Sequence, residues 1–95
     1  QFLKFIYHLI GFITFIVSVR NNEDECVADY LRFQATSVMI TIIRKSPKNF
    51  FINEHSGFLS KIKLNSFLEY KHTYIEGLKL VYEIIKGVEK YGGKL

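Results

Sequence analysis

The sequence predicts a small, mainly α-helical protein. Its opening, Gln1 to Val19, is almost free of charge, and its C-terminal stretch repeats apolar residues at three- and four-residue spacing. Nine Phe, six Tyr and 48% apolar residues in 95 argue for a packed chain rather than a disordered one. A chain of this length can form one domain with a modest core.

The opening reads "QFLKFIYHLIGFITFIVSV", in which Lys4 is the only charge and only His8, Gly11, Thr14 and Ser18 interrupt the apolar run. Three readings stay open. A cationic start and a short apolar stretch describe a secretory leader. A membrane span wants about 20 apolar residues, and Phe2 to Val19 comes close to that length. A buried core helix is the third. On the first two readings residues 1–20 form a hydrophobic leader or membrane helix, and residues 21–95 form a small basic region. Glu23, Asp24, Glu25 and Asp29 follow directly, so cation before and anions after would send the downstream chain across a membrane. A solvated loop and helix N-terminus is the plainer explanation of the same acids.

Residues 27–45 begin with helix-compatible side chains and pass into a β-branched run, Thr36 to Ile43, that favours strand. Ser46-Pro47 ends that element. "FFINEHSGFLSKIKL" reads as a short β-hairpin, with Phe50 to Asn53 and Phe58 to Leu64 flanking a turn at His55-Ser56-Gly57; a helix from near Ser56 competes.

From Ser66 or Thr73 to Tyr91 the spacing predicts an amphipathic helix. Tyr74, Ile75, Leu78, Val81, Tyr82, Ile85 and Val88 form its apolar face, with Glu76, Lys79, Glu83, Lys86, Glu89 and Lys90 opposite. Gly92-Gly93 stops it. The stripe of Ile75, Leu78, Tyr82 and Ile85 needs a partner, and the N-terminal helix is the expected one. Without that helix, residues 21–95 are expected to pack loosely, because a lone cysteine, Cys26, supplies no internal disulfide.

Chemistry is sparse. No phosphate-binding glycine loop, nucleophile elbow or paired metal-binding cysteines occur, so an enzyme is the weakest class. Glu69, His72 and Glu76 have helical spacing, but a single Glu-x-x-His lacks the second copy that a di-iron site requires, and a solvated charged face is expected. Cys26 with His55 or His72 lacks an orienting third group. Residues 30–95 hold eleven Lys and Arg against five acids, which favours membranes or other anionic surfaces; no specific nucleic-acid signature is present.

"FLKFIYHLIGFITFIVSV" followed by "NNEDECVAD" resembles the leader and first-cysteine junction of the nodule-specific cysteine-rich peptides, or late nodulins. The resemblance implies that Lys4, Phe5, Ile6 and Tyr7 belong to a leader and that Cys26, Val27 and Asp29 open the mature peptide. It further implies secretion within the symbiotic nodule and metal-ion binding, with Cys26 as the ligand. After Asp29 the chain departs from that family, since no second cysteine follows; an intermolecular disulfide then becomes a role for Cys26. The expectation is a small secretory-pathway peptide, secreted or membrane-associated. The alternative is a small single-pass membrane or helical interaction protein without catalytic activity.

Overall fold

The computed structural model describes residues 2–19, 25–52 and 58–91. The apolar opening folds as α1, Phe2–Ser18. Two apolar stripes run along this helix at alternating three- and four-residue spacing, close to opposite one another. Ile6, Ile10, Ile13 and Val17 are buried, whereas Phe5, Phe12 and Phe15 are exposed. In this structure α1 therefore packs as part of the core. Among the described residues no helix is long and apolar enough to cross a membrane.

Helix α2, Glu25–Lys45, absorbs the β-branched run expected as strand. Ala28, Arg32, Ala35, Thr36, Met39, Ile40 and Ile43 recur at helical spacing and are all buried. Packing of that face outweighs the strand preference of single residues, which is a weak and context-dependent term. Pro47 then sits in the first turn of α3, Pro47–Phe51, where a missing amide donor does no harm. Phe50 and Phe51 are both buried, an arrangement that strand alternation would forbid on a one-sided sheet. The expected hairpin is thus corrected in its described residues: Phe50 and Phe51 of the first arm lie in α3, the second arm opens as α4, Phe58–Lys61, and α5, Leu64–Leu68, begins where that arm was to end, while Asn53 lies outside the described residues. Its turn at His55-Ser56-Gly57 lies outside the described residues. So do Asn21 to Asp24 and the Gly92-Gly93 stop. Among the described residues there is no strand.

A 3₁₀ turn, Lys71–Thr73, leads into α6, Tyr74–Tyr91. The helix expected here is present, but its orientation is not the expected one. Gly77, Leu80, Glu83, Ile84 and Gly87 face inward, and Ile75, Leu78, Tyr82 and Ile85 face outward. The glycines explain the inversion. A Cβ on Gly77 would collide with the Phe67 carbonyl, and one on Gly87 would collide with the Phe51 ring. Only a hydrogen at those positions lets α5 and α3 approach so closely, at a helix-propensity cost of about 1 kcal/mol each. Phe51 stacks parallel to Tyr91, ring centroids 6.2 Å apart. The principal partners of α6 are α2 and α5, rather than the N-terminal helix, while α2 also packs on α1.

Candidate functional site

Arg32 is the most unusual buried side chain, only 1% exposed. Its Nε donates to the Val17 carbonyl at 3.2 Å, and its Nη2 donates to the Val19 carbonyl at 2.8 Å. Nη1 donates to Asp29 Oδ1 at 3.0 Å, and the guanidinium lies 3.5 Å from the centroid of the Tyr70 ring. The last carbonyls of a helix lack internal donors and carry partial negative charge, so a guanidinium satisfies them both by hydrogen bonds and by charge. Arg32 thereby ties the end of α1 to α2 and to the segment between α5 and α6. Sequence reasoning missed it; Asp29 and Arg32, three apart in a helix-compatible stretch, were the available signal.

The outer face of α1 carries Phe5, Phe12 and Phe15 at 61%, 59% and 62% exposure, continued by Val19. Leu31 and Ala28 of α2 join Phe15, Ile16 and Val19 around a small apolar recess of about 160 Å³. Along one flank of this ridge runs a groove of about 400 Å³, lined by His8, Gly11, Thr14, Phe15 and Ser18 of α1 with Ser60, Lys61 and Lys63. The Lys61 ammonium stands 4.5 Å above the Tyr7 ring. Lys4 falls on the same flank of α1 as Gly11 and Ser18, seven residues apart along the helix.

On α6, Glu83 is buried and accepts a hydrogen bond at 3.0 Å from Nε of the exposed Arg44, with Lys86 at 3.7 Å. Glu83 was expected on the solvated face. It sits beside a recess of about 190 Å³ between Ile43, Pro47, Phe51 and Gly87.

The Glu69, His72 and Glu76 trio does not share one helix face. Glu69 follows α5, His72 lies in the 3₁₀ turn, and Glu76 is in the first turn of α6, bonded to Lys79 Nζ at 2.8 Å. Glu69 and His72 are exposed. Among the described residues no three His, Cys, Asp or Glu side chains are grouped so as to hold a metal ion. The backbone of Cys26 belongs to α2, but its side chain and His55 lie outside what is described. No family model, no curated protein and no solved structure matches this chain.

Proposed function

We propose that this is a non-catalytic helical protein that docks peripherally on anionic membrane surfaces through the outer face of α1. The observation that carries the reading is the exposed Phe5, Phe12 and Phe15 ridge beside Lys4, Lys61 and Lys63. An interfacial helix buries aromatic and aliphatic side chains at the headgroup boundary while neighbouring lysines meet anionic lipid. Three phenyl rings with more than half their surface free supply several kcal/mol of insertion energy, on the order of 25 cal/mol per Å² buried. Each lysine near an anionic surface adds about 1 kcal/mol.

The test is co-sedimentation of the full chain with phosphatidylcholine vesicles, with and without phosphatidylglycerol. Binding is expected only with the anionic lipid, and Phe12→Ala with Phe15→Ala should weaken it by at least about ten-fold. A chain that stays in the supernatant with both vesicles, or that forms a dimer abolished by the same substitutions, would refute the proposal.

A second reading keeps the late-nodulin resemblance: residues 1–20 are a cleaved leader and the product is a small secreted peptide. It draws on Lys4 before and the acidic run after the apolar segment. Metal binding or an intermolecular disulfide at Cys26 belongs to this reading alone. Against it weigh the burial of Ile10 and Val17 and the bonds from Arg32 to the Val17 and Val19 carbonyls. The mass of the mature N-terminus separates the two; a chain beginning after Arg20 would favour the leader.

A further inference from the structure

Hydroxyls inside helices normally spend their proton on the carbonyl four residues back, and α2 shows the habit twice. Thr36 Oγ1 donates to the Arg32 carbonyl at 2.7 Å, and Thr41 Oγ1 donates to the Ser37 carbonyl at 2.9 Å. Thr14, in the middle of α1, does not. Its Oγ1 is buried without a hydrogen-bond partner in a residue only 5% exposed, an arrangement that leaves a donor desolvated and unpaired. Such a group calls for a reason. Thr14 lines the groove between α1 and the α4–α5 segment, together with Lys61 and Lys63.

We infer that this groove binds a phosphate group, as a lipid headgroup phosphomonoester or as a free phosphate. The groove is lined by Lys61 and Lys63, by His8 and by Thr14, whose buried hydroxyl has no partner, with no acidic side chain among its described lining residues. Charge-assisted bonds to phosphate oxygens are about twice as strong as neutral ones, and lysine serves as a flexible point charge for them. A Cβ built on Gly11 would lie 2.7 Å from Lys61 Cε, so the lysine stem runs across the glycine and delivers its ammonium along the groove. Volume is adequate: about 400 Å³ falls within the range of small-ligand pockets. Phe15 belongs both to the groove and to the exposed ridge, which brings a bound headgroup next to inserted phenyl rings. The inference deepens the membrane-docking reading and rests on it for the lipid source of the phosphate.

The experiment is an amide-shift titration of the full chain with inorganic phosphate, against sodium chloride at matched ionic strength. A parallel arm measures co-sedimentation with phosphatidylcholine vesicles carrying phosphatidic acid. Phosphate is expected to give saturable shifts centred on Gly11, Thr14, Lys61 and Lys63. Lys61→Gln with Lys63→Gln should weaken both arms by about ten-fold, and Thr14→Val, which keeps the shape, should weaken phosphate binding by about five-fold. Saturable phosphate binding without vesicle binding would uphold the groove for a free phosphate and overturn the membrane reading. Vesicle binding that ignores the double lysine substitution, with phosphate shifts no different from chloride, would overturn the groove and leave the membrane reading standing. Full phosphate affinity in both variants would also overturn it.

Discussion

Helices α1 and α6, near the two ends of the chain, each carry two apolar stripes, and each buries only one. In α1 the branched aliphatic stripe Ile6, Ile10, Ile13 and Val17 goes inside and the phenylalanines stay out. In α6 the inside stripe includes Gly77 and Gly87, and the larger Tyr82 and Ile85 stay out. The smaller or stiffer side chains permit the closer approach of neighbouring elements, so they win the inner position although the outer stripe is no less apolar. Hydropathy alone cannot separate two apolar faces of one helix. The helices differ in their polar attachment. α1 is joined through an almost fully buried arginine that donates to the Val17 and Val19 carbonyls, while α6 is joined through Glu83 and an arginine that is 60% exposed. Low dielectric strengthens the first attachment, and solvent weakens the second.

Three measurements break or sharpen this contrast. Removing residues 1–20 has the largest expected effect. It takes four buried aliphatic side chains out of the core, each worth about 1.5–3 kcal/mol, a sum comparable to the whole stability of a small domain. Residues 21–95 alone should give poorly dispersed amide spectra and no cooperative melt; a sharp two-state transition would mean that α1 is an accessory and not a core element. Arg32→Met comes next. It leaves the Val17 and Val19 carbonyls without their donor, and the expected loss is about 3 kcal/mol, offset in part because the apolar replacement needs no hydration. Thermal melting should fall by more than about 10 °C. An unchanged melting temperature would remove the distinction between the two attachments.

The smallest expected effect is on the outer stripe of α6. Ile75→Gln together with Tyr82→Gln should change stability by no more than about 0.5 kcal/mol per site, because both side chains already face water. Were that stripe packed inside, as its spacing first suggests, polar substitution would cost several kcal/mol. Urea denaturation of the double variant distinguishes the two cases.

Helix at both ends was legible from the chain because periodic apolar spacing is a local property of α1 and α6. The break at Ser46-Pro47 was equally local, since proline restricts its own backbone and that of its neighbour. Thr36 to Ile43 misled for the opposite reason: strand preference is a small local term, and burial of Met39, Ile40 and Ile43 against other elements overrides it. The hairpin expected around Phe50 to Leu64 failed in its described arms for the same cause, with Phe50 and Phe51 both drawn into the core. The cationic excess downstream of the acidic run was visible in composition, but the meeting of Lys61 and Lys63 with Thr14 was not, because about fifty residues separate them along the chain. The choice of inner face on α6 depended on Phe51 and Phe67 lying over Gly87 and Gly77. By itself the sequence determined that the two end segments are helical, that a break falls at Ser46-Pro47 and where the charge lies, since those follow from neighbours within a few residues. Only the tertiary structure decided which face of each helix is buried and that Arg32 closes the end of α1, because both depend on contacts between residues distant in the chain.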